Sequence, residues 1–300
     1  MAAKVLITGG SGLVGSYLSE MLTTEGFEVS HLSRSIRGTR KYTTFQWDVR
    51  AGELDEAALQ VDHIIHLAGA GVADERWTDR RKKEIYDSRI QSTALLYSEL
   101  AKHQVKLKSF VAASAIGLYG TDTGDELLHE ASASADDFLA EVVKDWEKEA
   151  LKIEALDIPV ARIRIGVVLA REGGALAKIA QPVRWGVGAP LGNGKQYISW
   201  IHIKDLCRIF HWALTEPSSD VFNATAPTPV TNAELTRKIA NVLKRPLFLP
   251  PVPAFAMKLM LGEMASIVLG GNNVSSQRLV DAGFKFEFTQ AEEAIADLLA

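Results

Sequence analysis

Residues 4–15 read KVLITGGSGLVG, and the fold can be predicted from this stretch. Residues 5–7 form an apolar run without a polar face, which is typical of a strand buried on both sides in a parallel sheet. A turn rich in glycine follows, and from Leu13 onward apolar residues recur at helical spacing. A strand, a glycine turn and a helix in this order predict a dinucleotide-binding site.

The three glycines spaced as G-x-x-G-x-x-G have separate roles in such a site. Gly9 allows the tight turn, Gly12 lets the backbone approach a pyrophosphate, and Gly15 lets the helix lie close to the sheet. The first N–H groups of the helix are then free to face phosphates. The alternative interpretation is a glycine-rich turn that holds no ligand.

The end of the second predicted strand, residues 28–33, indicates the type of cofactor. An acidic residue at this position binds the ribose 2′-hydroxyl of NAD, whereas an arginine accommodates the 2′-phosphate of NADP. This chain has Ser33 and Arg34 there, and Arg37 and Arg40 follow. A planar guanidinium can bind a phosphate through two parallel hydrogen bonds. The sequence therefore favours NADP(H), with a solvated basic loop as the alternative.

Strands and helices alternate through the first half of the chain. Further strands are predicted at 44–47, 61–67, 109–114, 159–165 and 221–224, with long helices at 77–102, 136–156 and, from the capping-box pattern at its start, 231–243. This alternation predicts an α/β fold with a doubly wound parallel sheet. Glycine-rich loops begin after residue 168. We therefore expect a Rossmann domain formed by residues 1–168 and 203–226, and a smaller C-terminal, substrate-side domain formed by residues 169–202 and 227–300.

Composition and charge argue against several classes of protein. The chain has 33 basic and 37 acidic residues and a net charge of −4, which disfavours nucleic-acid binding. Its single cysteine, Cys207, fits a reducing compartment. The longest apolar stretch, 254–269, is interrupted by Lys258 and Glu263, so we expect no membrane partner. No signal peptide and no metal-ligand spacing stand out, and we expect a cytoplasmic protein without a metal.

Several separated motifs resemble the extended short-chain dehydrogenase/reductases, the branch that includes nucleotide-sugar epimerases and dehydratases. These motifs are TGGSGLVG at 8–15, HLAG at 66–69, SAIGLYG at 114–120 and WIHIKD at 200–205. The segments KDWE at 144–147 and RIGVVL at 164–169 are similar to an atypical subfamily, the "epimerase family" proteins, which carry a C-terminal domain of unknown function. The resemblance covers essentially the whole chain.

The resemblance implies a set of residues that contact NADP(H). It assigns Gly9, Gly12, Leu13, Val14 and Gly15 to the pyrophosphate, Ser33 and Arg34 to the 2′-phosphate, Asp48 to the adenine edge, Leu67, Ala68 and Gly69 to the ribose side, and Ser114, Lys144 and Val168 to the nicotinamide end. Typical members have a structural asparagine where this chain has Arg89. An arginine there is expected to reach the cofactor phosphates, with Glu84 nearby on the same helix; a solvated helix face is the alternative.

The same resemblance identifies a missing catalytic group. A working member needs a tyrosine four residues before its lysine, because the tyrosine transfers a proton and the lysine lowers the pKa of that tyrosine. Here Lys144 is present, but Ala140 stands where the tyrosine is expected. Ser114 and Lys144 remain catalytic candidates, and Tyr119 is an alternative proton donor, although the equivalent tyrosine of typical relatives is structural. His202 is expected to be buried and hydrogen-bonded.

Two hypotheses of different classes follow from these residues. The first is an NADP(H)-dependent oxidoreductase or epimerase-like enzyme with an unusual proton donor and an unidentified small-molecule substrate. The second is a catalytically silent NADPH-binding regulatory or scaffold protein. Because relatives often pair through their two long helices, a homodimer through residues 77–102 and 136–156 is also expected.

Overall fold

A computed structural model of the chain describes residues 2–36 and 41–299, so Arg37 and Arg40 lie outside the described residues. The strands, in chain order, are β1 (Lys4–Thr8), β2 (Glu28–Ser33), β3 (Thr43–Asp48), β4 (Glu53–Leu54), β5 (His63–His66), β6 (Ser109–Ala115), β7 (Leu127–Leu128), β8 (Val160–Ile165), β9 (Val167–Leu169), β10 (Tyr197–Ile198), β11 (Trp200–His202), β12 (Val221–Ala224), β13 (Val230–Thr231) and β14 (Asn273–Val274). The α-helices are α1 (Leu13–Thr24), α2 (Asp79–Lys102), α3 (Phe138–Leu151), α4 (Gly174–Arg184), α5 (Ile203–Thr215), α6 (Asn232–Val242), α7 (Ala254–Leu261), α8 (Ser266–Leu269), α9 (Gln277–Asp281) and α10 (Ala291–Leu299). Short 3₁₀ helices cover Glu56–Leu59, Ile116–Tyr119, Lys152–Leu156 and Gly262–Ala265.

An eight-stranded sheet organises the first region of the chain. Its strand order is β12-β8-β6-β5-β1-β2-β3-β4, and all neighbouring strands are parallel except β3 and β4. β1 lies in the middle, where Val5, Leu6 and Ile7 are completely buried. Because successive side chains of a strand point to opposite faces, Val5 and Ile7 pack into one core and Leu6 into the other. The predicted doubly wound parallel sheet is confirmed.

Side-chain caps set the starts of the helices. Asp137 accepts a hydrogen bond from the Ala140 N–H, so α3 begins one residue after Asp137 and two residues later than predicted. Its C-terminal end continues directly into the 3₁₀ helix Lys152–Leu156. Thr78 caps α2 in the same way. The capping box predicted at Thr231 is present at the start of α6.

Small sheets join the C-terminal region to the large sheet. β9 pairs with β11 and β7 with β14, both in parallel, and β10 pairs with β13 in antiparallel orientation. One continuous hydrophobic core contains both Val5 of β1 and Ile295 of α10. The predicted domain boundaries stay a prediction, because this core extends across them.

A buried carboxylate also connects the two regions. Asp205, in the first turn of α5, is completely buried. Its carboxylate accepts the backbone N–H groups of Glu287 at 3.0 Å and Phe288 at 2.8 Å, and the Arg208 guanidinium at 2.6 Å. A buried charge is costly unless it is paired and hydrogen-bonded, and here the carboxylate has a guanidinium partner and two backbone N–H donors. The segment before α10 is therefore held against α5.

Candidate functional site

The turn after β1 leaves no room for a side chain at Gly15. A Cβ atom there would lie 2.3 Å from the carbonyl oxygen of Gly9. Gly9 itself has a φ of +70°, a conformation that other residues rarely adopt. The Gly12 N–H donates to the Gly9 carbonyl at 3.0 Å and closes the turn. The geometric reasons predicted for Gly9 and Gly15 are therefore present in the structure.

The first turn of α1 opens onto the space beyond this glycine turn. Gly12 is the N-cap of the helix and has no side chain to accept the first N–H groups. Gly12 and Leu13 are exposed. A Cβ on Gly12 would meet only the Gly9 carbonyl oxygen, at 3.3 Å. Uncapped N–H groups and the helix dipole favour an anion at this position, so the residues fit a pyrophosphate.

Thr8, at the end of β1, holds the segment after β5 against the glycine turn. Its Oγ1 accepts the N–H groups of Leu67 and Ala68, both at 3.1 Å. A Cβ on Gly9 would lie 3.0 Å from the Leu67 carbonyl carbon and 3.1 Å from the Ala68 nitrogen. The predicted cofactor residues Leu67 and Ala68 are thus fixed beside the predicted pyrophosphate turn.

The buried imidazole of His66 forms a further hydrogen bond with Thr8 Oγ1. Since Thr8 Oγ1 accepts two N–H groups, its own hydrogen points to His66 Nδ1, 2.7 Å away. The ring proton is then on Nε2, which donates to Thr93 Oγ1 at 3.0 Å. Burial, with a smaller effect of the Arg89 charge, lowers the pKa of His66 to about 3. The ring is therefore a neutral structural element at physiological pH.

Arg89 brings an unpaired positive charge close to the same edge. A Cβ on Gly69 would lie 3.0 Å from the Arg89 guanidinium carbon. The guanidinium donates to the carbonyl oxygens of Ala70 and Ile85, both at 3.0 Å, and lies over the Trp146 ring. Burial, and to a lesser extent the Arg81 charge, lowers its pKa to about 10, so it stays protonated at neutral pH. In the described part of the chain no carboxylate pairs with Arg89, which leaves this charge available to an anion.

Glu84, predicted beside the cofactor, has a different partner. Its carboxylate accepts a hydrogen bond from the buried Arg81 at 2.8 Å. Arg81 also donates to the carbonyl oxygen of Gly71 at 2.6 Å. Glu84 thus orients the arginine that holds the loop after β5 on α2, and its place beside the cofactor stays a prediction.

Ser33, Arg34 and Asp48 lie at the ends of β2 and β3. Ser33 Oγ donates to the Ser35 carbonyl at 3.1 Å, whereas Arg34 is exposed and forms no ion pair within the described residues. Asp48 Oδ1 accepts the N–H groups of Arg50 and Ala51 at 2.9 and 3.1 Å, which shapes the turn after β3. The parallel neighbours β1, β2 and β3 place these residues along the same sheet edge as the glycine turn.

Val168, in β9, meets the start of α1. A Cβ on Gly174 would lie 3.3 Å from the Val168 carbonyl oxygen and 3.4 Å from a methyl group of Leu13. Gly174 has a φ of +66° and begins α4. The structure thus brings Val168 together with the predicted pyrophosphate residues.

The hydroxyl groups of Ser114 and Tyr119 are held in one buried polar network. Ser114 Oγ donates to Glu147 Oε1 at 2.5 Å, and Arg164 binds both oxygens of the same carboxylate at 2.7 and 2.9 Å. The Tyr119 hydroxyl donates to Asn223 Oδ1 at 2.8 Å and accepts from Arg164 at 2.9 Å. Burial raises the pKa of Tyr119, against the lowering effect of Arg164. Both hydroxyls are thus held by hydrogen bonds inside the protein.

Ala140 and Lys144 are four residues apart on one face of α3 but differ in exposure. Ala140 is completely buried, with 0% exposure. The Lys144 side chain is 49% exposed, and its contact within the described residues is Asp136, 3.8 Å away. Ser114 contacts Glu147, and the catalytic roles of Ser114 and Lys144 stay a prediction.

The face of α3 that looks at the end of β6 carries apolar residues. A Cβ on Gly117 would lie 3.5 Å from the Leu139 Cβ, and one turn later Val143 packs with Leu118 and Tyr119. Leu139, Val143 and Glu147 follow at i, i+4 and i+8, the spacing of one helix face. The lysine therefore stands one residue away from the position that faces the β6 end.

The C-terminal region closes over one side of the sheet edge. The guanidinium of Arg76, in the loop between β5 and α2, donates to the carbonyl oxygens of Leu259 and Met260 at the end of α7. Lys178 of α4 donates to the Ala73 carbonyl at 3.1 Å. These contacts attach the loop that follows the Leu67–Gly69 segment to both α4 and α7, so the C-terminal region lies beside the predicted cofactor residues.

The remaining titratable candidates have structural partners. His202 Nδ1 accepts the Lys204 N–H at 3.1 Å, its Nε2 donates to Asp297 at 3.2 Å, and its ring stacks on Phe288, so the expected buried, hydrogen-bonded histidine is confirmed. Burial raises the pKa of Cys207. Over the described residues, no group of three or more His, Cys, Asp or Glu residues could hold a metal, and no helix is long and apolar enough to span a bilayer.

Sequence reasoning missed Thr8, His66 and Arg76. Thr8 is the only polar residue of an otherwise apolar buried run in β1, which is the signal that could have identified it. His66 belongs to the HLAG motif, but its hydrogen bonds to Ser92 and Thr93 of α2 depend on tertiary packing. Arg76 contacts residues more than 180 positions away, and no local pattern indicates such a contact.

Two family models match the chain. The model of the NAD dependent epimerase/dehydratase family matches residues 5–138. A model of a domain of unknown function, DUF1731, matches residues 252–298. The first match contains the glycine turn, and the second contains α7, α8, α9 and all but the last residue of α10.

Relatives of similar length extend this match to the whole chain. Epimerase family protein YfhF of Bacillus subtilis is 34% identical over 300 residues, which cover 99% of this chain and 98% of the relative. An epimerase family protein of Arabidopsis thaliana, the chloroplastic SDR39U1 homolog, is 37% identical over 98% of this chain and 86% of its own length. The crystal structure of human epimerase family protein SDR39U1 with NADPH superposes with a TM-score of 0.88 at 29% identity, over 98% of both chains.

Proposed function

Because the chain belongs to the epimerase family proteins, we propose that it binds NADP(H) along the carboxyl edge of its sheet. The observation that carries this proposal is the turn from Gly9 to Gly15, where the backbone approaches so closely that a Cβ on Gly15 would lie 2.3 Å from the Gly9 carbonyl. Human SDR39U1, a relative with the same fold, was crystallised with NADPH. The uncapped start of α1 supplies the N–H groups for the pyrophosphate.

The residues around this turn provide the rest of the site. Leu67 and Ala68 are fixed by Thr8, Arg89 adds a positive charge without a carboxylate partner, and Val168 borders the start of α1. When bound, a nicotinamide dinucleotide supplies hydride transfer. The role of this chain is to hold the dinucleotide against the glycine turn and to neutralise its phosphates.

Arg34 accounts for a preference for NADP(H) over NAD(H). It follows β2 directly, is exposed, and has no acidic neighbour at the strand end that would bind a ribose hydroxyl. A guanidinium binds a phosphate through charge-assisted hydrogen bonds, whereas it gains little from a neutral hydroxyl.

Calorimetric titration of the wild type and of Arg34→Glu with NADPH and with NADH tests the proposal. The substitution is expected to weaken NADPH binding by roughly 10- to 100-fold, the equivalent of one or two charge-assisted hydrogen bonds, and to change NADH binding little. Arg80→Glu, an exposed arginine at the start of α2, is the matched control. Absence of NADPH binding by the wild type contradicts the cofactor site, and equal losses for both nucleotides contradict the role of Arg34 alone.

The geometry favours a cofactor-binding protein that does not use the usual tyrosine–lysine proton transfer. The hydroxyls of Ser114 and Tyr119 are bound to Glu147 and Asn223, and position 140 carries an alanine where working members have a tyrosine. We therefore place the regulatory or scaffold hypothesis, in which NADPH occupancy is the function, ahead of catalysis by these residues.

One observation supports the second candidate, an NADP(H)-dependent oxidoreductase or epimerase-like enzyme with a different proton donor. The contacts of Arg76 and Lys178 hold α7 and α4 against the loop after β5, beside the predicted cofactor residues, and covering a site in this way excludes water from a reacting substrate. Absorbance of bound NADPH, followed with a panel of ketones, aldehydes and sugar nucleotides, separates the candidates. Turnover of any compound supports the enzyme, whereas binding without oxidation across the panel supports the regulatory hypothesis.

A further inference from the structure

The C-terminal region exposes large apolar side chains that its own fold does not cover. Trp185, Phe248, Phe255, Leu259 and Met260 are each between 64% and 79% exposed. Single exposed apolar residues are normal, but several of this size close together mark a surface that another molecule covers.

These side chains come from two segments that meet in the fold. Leu191 and Val252 form a parallel bridge, the Gly192 N–H donates to the Val252 carbonyl at 2.9 Å, and the Val252 N–H donates to the Pro190 carbonyl at 2.8 Å. Trp185 precedes this bridge by six residues. Phe248 and Phe255 lie within four residues of Val252, so the chain keeps both of them near the bridge. We call this region, residues 184–187 with 244–260, the α7 surface.

The helix at its centre has an apolar outer face. Phe255 and Leu259 are four residues apart and both exposed, so they lie on one side of α7. Ala256, Met257 and Leu261 are partly buried and form the side that packs on the protein. Phe255 and Leu259 therefore project into solvent from the same side of the helix.

Positive charges without partners surround these apolar residues. Arg184, Lys195, Lys244, Arg245 and Lys258 are exposed, and none of them forms an ion pair within the described residues. The two segments that contain them, residues 173–203 and 235–262, contain no aspartate or glutamate, although the whole chain has a net charge of −4. The nearest acid along the chain after α7, Glu263, is paired with Lys82.

We propose that the α7 surface docks this protein onto an anionic lipid bilayer. Projecting Trp, Phe, Leu and Met side chains enter the boundary between headgroups and acyl chains, while lysines and arginines beside them bind the anionic headgroups. The charge complementarity favours an anionic surface, and side chains that project outward suit a bilayer, into which they can insert. This docking is peripheral, and it departs from the expectation of no membrane partner, which considered only segments that cross a bilayer.

Co-sedimentation of the full chain with lipid vesicles tests the docking. The wild type is expected to bind vesicles of phosphatidylcholine mixed with phosphatidylglycerol and to bind pure phosphatidylcholine at least about tenfold more weakly. Two exposed double variants are expected to lose this binding by at least about tenfold: Phe255→Ser with Leu259→Ser, which removes insertion, and Lys244→Gln with Arg245→Gln, which removes charge.

Matched variants elsewhere on the surface control for general effects. Leu127→Ser with Val280→Ser removes two exposed apolar residues outside the α7 surface, and Lys106→Gln with Lys148→Gln removes two exposed lysines. Both controls are expected to bind as the wild type does. Failure of the wild type to bind mixed vesicles overturns the proposal, as does binding that survives both α7 double variants. A dimer in light scattering that Phe255→Ser with Leu259→Ser dissociates, without vesicle binding, identifies a second copy as the occupant and also overturns it.

Discussion

Thr8 is the single side chain on which the carboxyl edge of the sheet depends most. Its Oγ1 makes three hydrogen bonds, to the N–H groups of Leu67 and Ala68 and to the His66 ring. A valine at this position would suit a buried strand equally well but would leave the Ala68 N–H and the ring nitrogen without this partner, whereas the Leu67 N–H would keep the Thr8 backbone carbonyl at 3.2 Å. The hydroxyl therefore links the local structure of β1 to the geometry of the cofactor edge.

The pKa of His66 makes stability depend on pH. The unfolded chain binds a proton near pH 6.5, whereas the folded ring binds one only near pH 3. Between these values the unfolded state holds more protons, so the free energy of unfolding decreases as the pH falls, by about 1.4 kcal/mol per pH unit from this group. Urea unfolding at a series of pH values should show a slope flatter by that amount in His66→Gln.

Other histidines with lowered pKa values, His63 and His202, remain in both proteins and cancel in this comparison. His129→Gln, which changes an exposed ring, is the control and should keep the slope of the wild type. A slope that is equal in His66→Gln and wild type would show that the His66 ring is protonated in the folded state.

Gly12 and Gly15 are expected to respond differently to an added methyl group. Gly15→Ala places a Cβ 2.3 Å from a backbone oxygen, so it should destabilise the fold by about 1–3 kcal/mol and abolish NADPH binding. Gly12→Ala meets only the Gly9 carbonyl at 3.3 Å and should keep most of its stability, while its methyl group blocks the approach of a pyrophosphate. Thermal unfolding with and without NADPH measures both effects. If Gly12→Ala bound NADPH as the wild type does, the pyrophosphate would not lie against this turn.

At the scale of elements, the long strands and helices could be predicted from the sequence, because apolar periodicity and caps are local signals. Examples are β1 with the glycine turn that follows it, α2 and the capped helix α6. The paired strands of two or three residues, such as β7 with β14, could not be predicted, because they exist only where distant segments meet. The side of α3 that faces the end of β6, with Leu139 and Val143, could not be predicted either, because a helix turns by 100° per residue and spacing along the chain does not show which face is buried.

The network between β6 and α3 predicts a structural role for Ser114. Ser114→Ala leaves Glu147 with its two hydrogen bonds to Arg164 and should cost only about 1 kcal/mol of stability, without change in NADPH affinity. Glu147→Ala leaves a buried guanidinium without its carboxylate and should cost about 3–5 kcal/mol. Urea denaturation and calorimetry measure the two quantities. Loss of NADPH oxidation in a stable Ser114→Ala protein would instead restore Ser114 as a catalytic residue.

The homodimer expected through α2 and α3 stays a prediction. The outer surfaces of these helices carry charged residues, among them the Lys83–Asp87 pair and the half-exposed Lys144. The largest exposed apolar side chains lie instead on the α7 surface. Light scattering of Phe255→Ser with Leu259→Ser, described above, also tests which surface mediates any pairing.

At the scale of the whole molecule, Arg76 joins the loop after β5 to the end of α7. Arg76→Ala removes hydrogen bonds to two carbonyl oxygens and should increase amide hydrogen exchange in residues 254–262. Global stability should change by less than about 0.5 kcal/mol, because the side chain is at the surface. Arg80→Ala, an exposed arginine nearby, should leave exchange unchanged. If amide exchange of α7 were unaltered in Arg76→Ala, contacts other than those of Arg76 would hold α7 in place.

The buried carboxylate of Asp205 has a practical consequence for anyone who divides this polypeptide. Its donors at Glu287 and Phe288 belong to the segment matched by the second family model, while Asp205 itself lies in the middle of the chain. Expression of a fragment that stops near residue 251 would remove two of the donors to this carboxylate and expose the apolar core residues that α10 covers. Such a fragment is expected to aggregate, so the limits of the two family models are unsuitable as cloning boundaries.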